Sequence, residues 1–288
     1  MSQIISVVPN VCEGRDEAFV EALTEKLETV PGLVVLDVSM DQVRNRTIFS
    51  FTGRREAVFE GGFHIYEAAR GKIDMRNHQG EYPRIGAVDV FPFVALRDAP
   101  IATAVEWSVQ FAEEVARRFD LPVYLFAEAA RTKLRRDIEN IREGEYEGFA
   151  AKMTDPAWKP DFGPDVFRPD KGATIIGARL PIVNFKAYLG TPSEEAAERV
   201  SKVLSDPATG FSGVHFYPAL DRTRNEALLN ITVGNFQATP LYRVLEAVKT
   251  ELRRFGTRVT RVEMVGLVPM QALIASAEHY LQIFDFSV

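Results

Sequence analysis

The residues between positions 74 and 93 form the densest group of polar side chains that could carry out chemistry. The segment reads DMRNHQGEYPRIGAVDVFPF and offers an imidazole, carboxylates, a phenol and a guanidinium at His78, Glu81, Asp89, Tyr82 and Arg84. Histidine titrates near neutral pH, which suits proton transfer, and arginine binds a carboxylate through two parallel hydrogen bonds. Two interpretations stay open: a proton-transfer site beside an anion-binding cation, or a turn-rich connection whose polar groups cap neighbouring backbone.

A second candidate segment, residues 161–172, is marked as a loop by its glycines and prolines. It reads DFGPDVFRPDKG and combines two cations, Arg168 and Lys171, with the aromatic rings of Phe162 and Phe167. A flat polyanionic ligand that contains a ring could use both kinds of side chain. The spacing of a Walker A loop or a dinucleotide fingerprint is missing, so an ordinary loop is the alternative interpretation.

Cysteine and histidine are too scarce to suggest a metal site. Cys12 is the single cysteine, which excludes an intramolecular disulfide, and the four histidines lack the spacing of a zincin pair. The sequence therefore predicts no metal.

The charge balance narrows the class of partner. The 288 residues carry 34 lysines and arginines against 40 aspartates and glutamates, a formal charge of -6. This balance argues against a general nucleic-acid binder and against electrostatic docking to an anionic membrane. The N-terminus lacks the regions of a secretory signal, and no apolar stretch approaches the roughly 18 residues of a membrane span. We expect a cytoplasmic protein whose substrates are small molecules.

Hydrophobic periodicity predicts the same element order twice, β-α-β-β-α-β, which is the split βαβ arrangement. The predicted strands of the first half are 4–8, 33–38, 46–51 and 88–96, the helices are 15–29 and 55–70, and a helix at 101–118 and a strand at 123–126 follow. The predicted strands of the second half are 182–189, 214–217, 227–233 and 259–265, with helices that begin near 191, 239 and 269. The fold class is therefore α/β (α+β), with two subdomains whose mixed or antiparallel sheets are covered by helices.

Residues 128–172 lie between the two halves and lack apolar periodicity. A long irregular segment inside a compact chain is usually functional or disordered, and the aromatic residues of this one argue against disorder. We expect the segment to wrap the surface and to border a cleft between the subdomains.

Several short stretches, distributed over essentially the whole chain, together form a pattern that is specific to one family. They include Val8-Pro9-Asn10, Asn45-Arg46-Thr47, Ile73-Asp74-Met75, Gly80-Glu81, Pro83-Arg84, Ile141-Arg142, Gly144 to Glu147, Pro160 to Pro164, and Val265 to Pro269. Together they resemble the formiminotransferase domain of the folate-dependent glutamate formiminotransferase family.

The resemblance implies two ferredoxin-like subdomains, which we place at residues 1–179, including a folate-contacting loop, and at residues 180–288. It implies a homodimer that moves a formimino group from N-formiminoglutamate to tetrahydrofolate, although some relatives handle formyl groups instead. Tetrahydrofolate is then a substrate, and no metal takes part. The cyclodeaminase domain of some relatives is expected to be absent, because the sequence ends at Val288.

The resemblance also implies which residues form the site. It places the reacting centre at His78, Glu81, Tyr82 and Arg84. It assigns contacts with folate or substrate to Ser39, Asn45, Gly163, Pro164, Phe167, Arg168, Lys171 and Gly172. Lys171 stands where relatives have an aromatic residue, and its charge could pair with a folate carboxylate.

Two positions depart from the family pattern. Tyr82 stands where relatives have the histidine regarded as the catalytic base, and Ser39 stands where they tend to have an aspartate. A phenol has a pKa near 10 and accepts protons poorly at neutral pH. We therefore expect Tyr82 to donate a proton or a hydrogen bond, His78 to act as the base, and Asp41 to replace the missing carboxylate. Two alternatives stay open: an enzyme with another donor or acceptor, and a folate-binding protein that lacks formimino transfer.

Overall fold

The structure is a computed structural model that describes residues 3–96, 99–206 and 208–283. By its internal contacts the chain divides into two units, Met1–Arg179 and Leu180–Val288. Both candidate segments belong to the first unit, so its sheet determines where their side chains lie. Within the described residues, no helix is both long enough and apolar enough to cross a membrane.

The first unit begins with a split βαβ arrangement. Its elements are β1 (Ile5–Val7), β2 (Asn10–Val11), α1 (Glu17–Glu28), β3 (Leu33–Asp41), β4 (Arg46–Gly53), α2 (Arg55–Lys72) and β5 (Val88–Ala95). The strands pair antiparallel, β3 with β4, and both β4 and β5 with β1 and β2. The predicted strand at 4–8 is confirmed as β1, and β2 is a further short strand beyond Pro9, which has no N–H to donate to a sheet.

Two parallel strands extend this sheet. α3 (Ile101–Phe119) leads to β6 (Val123–Ala127), and β7 (Thr174–Arg179) lies between β5 and β6, parallel to both. All of β5 is buried, which matches its nearly continuous apolar sequence, VDVFPFVA. Phe91 and Phe93 of β5 lie 4.6 and 5.5 Å from Phe111 of α3, measured between ring centroids. The core of the unit therefore lies between the sheet and its helices.

The segment 128–172 is more regular than the sequence predicts. It contains α4 (Ile138–Arg142) and α5 (Glu145–Lys152), and short 3-10 helices at Lys133–Arg136 and Pro156–Trp158. Asp137 caps α4, because its carboxylate accepts a hydrogen bond from the Glu139 N–H at 3.0 Å. Helices of 5 and 8 residues are too short to display an apolar repeat, so periodicity did not reveal them.

The second unit is a complete split βαβ arrangement. Its elements are β8 (Val183–Tyr188), α6 (Glu194–Leu204), β9 (Val214–Asp221), β10 (Glu226–Val233), α7 (Leu241–Leu252), β11 (Arg261–Val265) and α8 (Met270–Leu281). The sheet order is β11-β8-β10-β9, and every neighbouring pair is antiparallel. The predicted fold class, α/β with two ferredoxin-like subdomains, is confirmed.

The turns after β3 and after β9 share one conformation. Asp41 and Asp221 each accept a hydrogen bond from the backbone N–H three residues later, at 2.8 and 3.2 Å. Asn45 and Asn225 each adopt a positive φ, of 48° and 50°. Asparagine tolerates this region, so turn chemistry explains why both halves carry the same residues here.

Candidate functional site

The turn after β3 holds the segment that contains His78 and Tyr82. A Cβ atom at Gly80 would lie 2.2 Å from the carbonyl oxygen of Arg44, so this close approach requires glycine. The buried amide of Asn45 links two backbones: its Oδ1 accepts from the Gly14 N–H at 2.9 Å, and its Nδ2 donates to the Gln79 carbonyl at 3.0 Å. The resemblance predicts that Asn45 contacts a ligand. In this structure its side chain holds the segment that contains His78 and Tyr82 in position.

The two ring nitrogens of His78 have different partners, which define its tautomer. Nε2 lies 3.1 Å from the carbonyl oxygen of Asn45, and because a carbonyl only accepts, Nε2 carries the hydrogen. Nδ1 accepts a hydrogen bond from Nε of Arg84 at 3.3 Å. The lone pair that a general base would use is therefore engaged with a cation. This arrangement counts against the predicted role of His78 as the base and favours a role in positioning Arg84.

Arg84 joins the same segment to α5. Its Nη1 and Nη2 donate to the carboxylate of Glu147 at 3.1 and 2.7 Å, and its Nη1 also donates to Glu145 at 3.2 Å. The hydrogen bonds from Arg84 lower the pKa of Glu147. Arg84 thus recognises carboxylates, as its residue type predicts, but these carboxylates belong to the protein itself.

Tyr82 lies over two buried arginines. The Cζ atom of Arg46 is 4.2 Å from the centroid of its ring, and that of Arg142 is 5.4 Å away. Both guanidiniums pair through Nη2 with the fully buried carboxylate of Asp89, at 3.4 and 2.5 Å. The ring of Tyr82 is half-buried, whereas the two arginines beneath it are buried. The ring therefore lies on the solvent side of this charge cluster.

Cys12 lies in the electrostatic field of the same charge cluster. Burial raises the pKa of its thiol to about 12, and the negative charge of Asp89 contributes to the shift. A thiol with such a pKa stays protonated at neutral pH and is a poor nucleophile. Cys12 is therefore a structural residue.

The loop 161–172 packs against the connection that leads into β5. Gly86 and Gly172 form a β-bridge, and the Ala87 N–H donates to the Lys171 carbonyl at 2.9 Å. Gly172 has a φ of +71°, and a Cβ atom there would lie 2.0 Å from a backbone oxygen, so this crossing requires glycine. The structure thus brings together the two segments that the sequence singled out.

Gly163 and Pro164 lie at the opposite end of this loop. They follow a β-bridge between Phe162 and Val123, which attaches the start of the loop to β6. Phe167, in the middle of the loop, packs on Tyr146 of α5 with a centroid distance of 5.4 Å. α5 therefore contacts both the loop and, through Glu147, the guanidinium of Arg84.

Both cations of the loop have partners within the protein. Arg168 forms an ion pair with Asp120. Nζ of Lys171 donates to the carbonyl oxygen of Ile73 at 2.5 Å. For either side chain to contact folate, as the resemblance implies, it must first release this partner.

The remaining predicted residues are on the surface. Ser39 is exposed on β3, opposite Ile48 of β4, and Glu81 is exposed beside Tyr82. Asp41, the candidate to replace the missing carboxylate, pairs with Arg44 at 3.2 Å. The described parts of the chain contain no cluster of three or more histidine, cysteine or acidic residues that could hold a metal ion.

Sequence reasoning assigned no role to four charged residues that shape this site. Arg46 and Arg142 lie beneath Tyr82, and Glu145 and Glu147 bind Arg84. All four belong to stretches that carry the family resemblance. Their spacing along the chain gives no sign that they meet, so only the resemblance could have marked them.

The buried position of His78 predicts a pH dependence of stability. Burial lowers its pKa in the folded state below the ordinary value of about 6.5, and the nearby Arg84 acts in the same direction. As the pH falls below about 6.5, the unfolded state takes up a proton more readily, so folding loses stability. We expect His78→Gln to lose less stability than the unaltered protein between pH 7.5 and 5.5.

Urea unfolding followed by tryptophan fluorescence checks this prediction. Trp107 and Trp158 are the two tryptophans, and both lie in the first unit, so the signal reports on that unit alone. Equal losses of stability in the two proteins would contradict the assigned environment of His78.

Comparisons with known proteins identify the family. Residues 4–179 match the model of the formiminotransferase domain, N-terminal subdomain, and residues 218–287 match the model of the formiminotransferase domain. The chain is 35% identical to "Glutamate formimidoyltransferase" of Streptococcus pyogenes serotype M1, over 99% of this chain and 96% of that protein. It is also 35% identical to the protein of that name from Thermoplasma acidophilum, over 98% of this chain and 94% of the relative.

Longer relatives show the same similarity over part of their length. The mouse "Formimidoyltransferase-cyclodeaminase" is 35% identical over 97% of this chain, and the match covers 53% of the mouse protein. The matched family models and the extent of these alignments agree on the same family. The chain belongs to the formiminotransferase-domain family of transferases.

Proposed function

We propose that this protein transfers a formimino group from N-formiminoglutamate to tetrahydrofolate. The names of its relatives support the reaction. The single observation that supports a site for it is the β-bridge between Gly86 and Gly172, which joins the 78–84 segment to the loop proposed to contact folate. Residues 1–179 then carry both the reacting centre and the folate-contacting loop. A homodimer and a cytoplasmic location stay predictions.

The reaction requires two proton transfers. N5 of tetrahydrofolate attacks the formimino carbon, a C–N bond forms, and N5 gives up its proton. The C–N bond to glutamate then breaks, and the departing nitrogen takes up a proton. Positioned side chains accelerate such transfers by about 10²–10⁴-fold.

The side chains of this segment suggest how the protons move. The carboxylate of Glu81 is exposed beside Tyr82 and takes the proton from N5. The phenol of Tyr82 gives its proton to the departing nitrogen and recovers one from Glu81. His78 holds Arg84, and Arg84 holds α5, which packs on the folate loop through Tyr146.

Paired substitutions of His78 test its role within this reaction. Glutamine offers an N–H donor and a carbonyl acceptor, as neutral His78 does, but it cannot take up a proton at neutral pH. We expect His78→Gln to keep kcat/KM within about tenfold, and His78→Ala to lose about 100-fold because the site is displaced. The acid side of the pH profile of kcat/KM is expected to be the same in the glutamine variant and the unaltered protein.

A general base at this position would give a different pattern. His78→Gln would then lose as much activity as His78→Ala, about 10²–10⁴-fold, and the acid side of the profile would shift. That result would mean that His78 is the general base.

Two observations favour the folate-binding alternative. The histidine expected at position 82 is absent, and the lone pair of His78 is engaged with Arg84. Under this second function, the protein binds tetrahydrofolate but transfers no group from N-formiminoglutamate.

A further inference from the structure

The charge cluster beneath Tyr82 has an unbalanced charge. Arg46 and Arg142 are 7% and 4% exposed, and the carboxylate that both contact, Asp89, is fully buried. Two buried positive charges therefore share one buried negative charge, and the exposed Glu139 acts on Arg142 more weakly than Asp89 does. The Cys12 thiol adds no charge, since burial raises its pKa to about 12, and Arg84 has its own carboxylates in Glu145 and Glu147.

Two buried donor nitrogens of this cluster also lack hydrogen-bond partners. Arg46 uses Nε for the Asn10 side chain, at 2.9 Å, and Nη2 for Asp89, which leaves its buried Nη1 unpaired. Arg142 uses Nη2 for Asp89, which leaves its buried Nε unpaired. A buried donor without a partner costs about 1–3 kcal/mol. The cluster is thus short of one acceptor group that carries a negative charge.

The ring of Tyr82 covers these arginines without supplying that acceptor. Its π face attracts the guanidiniums, but a cation–π contact contributes only about 0.5–2 kcal/mol. The ring is half-buried, and its neighbour Glu81 is exposed. The flanking residues His78 and Arg84 are held by hydrogen bonds, so the ring can turn aside while the segment stays in place.

We infer that Arg46 and Arg142 form a carboxylate-binding site that Tyr82 covers in the unliganded protein. A carboxylate displaces the ring and accepts hydrogen bonds from Nη1 of Arg46 and Nε of Arg142. The identity of the ligand rests on the proposed function: the amino-acid product and its N-formimino form are both dicarboxylates. Displacement also frees the Tyr82 phenol to reach the reacting nitrogen.

Calorimetric titration with glutarate tests this site without any transfer reaction, and glutaramide serves as the uncharged analogue. We expect Arg46→Gln and Arg142→Gln to bind glutarate at least about tenfold more weakly than the unaltered protein. Tyr82→Ala is expected to bind it at least about threefold more tightly, because no ring has to be displaced. Glutaramide is expected to bind none of these proteins measurably.

Arg44→Gln is the matched control. Arg44 also lies near the Tyr82 ring, at 5.8 Å, but its side chain is 57% exposed and pairs with Asp41. This variant is expected to bind glutarate within about twofold of the unaltered protein, because a single exposed charge contributes little.

Two results would overturn the inference. One is glutarate binding that is equally tight in the unaltered protein and in both variants of the buried arginines. The other is weaker binding by Tyr82→Ala, which leaves every buried residue in place and so remains informative if an arginine variant fails to fold. Formimino transfer is measured separately, so glutarate binding without transfer would contradict the proposed function and leave the site intact.

Discussion

Tyr82→Phe is expected to lower kcat for formimino transfer by about 10²–10⁴-fold. The variant keeps the aromatic ring over Arg46 and loses only the hydroxyl group, so folding and the cover over the buried arginines are preserved. The proton that the departing nitrogen needs then has no positioned donor. Steady-state kinetics of the purified variant, with circular dichroism as a check on folding, measures the effect.

Tyr82→His provides the matched comparison. An imidazole both donates and accepts protons near neutral pH, so this variant is expected to transfer the formimino group at least as fast as the unaltered protein. A phenylalanine variant with full activity would remove Tyr82 from the proton transfers. The departing nitrogen would then take its proton from another donor, and Glu81 would remain the proposed acceptor of the proton from N5.

Asp89→Asn is expected to destabilise the first unit by about 3–5 kcal/mol. Asp89 is fully buried, and its carboxylate contacts Arg46 and Arg142. It also accepts a hydrogen bond from the Ile85 N–H at 3.0 Å. An amide at this position leaves two guanidiniums in the interior without any compensating charge. Urea unfolding followed by tryptophan fluorescence isolates the effect, since both tryptophans lie in this unit.

Asp41→Asn is the control for that measurement. Its partner Arg44 is exposed, and an exposed ion pair contributes only about 0–1 kcal/mol. Asparagine also preserves the turn hydrogen bond to the Arg44 N–H. Equal changes in the two variants would mean that the buried cluster stabilises the unit no more than a surface pair does.

Most of the regular secondary structure followed directly from the sequence, although the strands β2 and β7 were not predicted. The buried strand β5 reads as an apolar run, and the second unit matches its predicted order of strands and helices element by element. Local signals are sufficient there, because side-chain periodicity reports which face is buried. α4 and α5 escaped the same reasoning because each is shorter than the window in which periodicity can be seen.

The candidate site was predictable only in part. The residue types of the 78–84 segment marked it as chemically active, and the glycines and prolines of residues 161–172 marked a loop. That His78 accepts from Arg84, and that Lys171 donates to the carbonyl of Ile73, depends on tertiary contacts. The ion pair between Asp89 and Arg142 joins residues 53 positions apart. Spacing along the chain carries no information about such pairs.

Product formation from N-formiminoglutamate and tetrahydrofolate by the unaltered protein tests the central claim most directly. We predict turnover that requires both substrates and yields glutamate and 5-formiminotetrahydrofolate in equal amounts. Tetrahydrofolate binding without any product, in a preparation whose Tyr82→His variant does form product, would contradict the claim. The protein would then be a folate-binding member of the family whose tyrosine has ended formimino transfer.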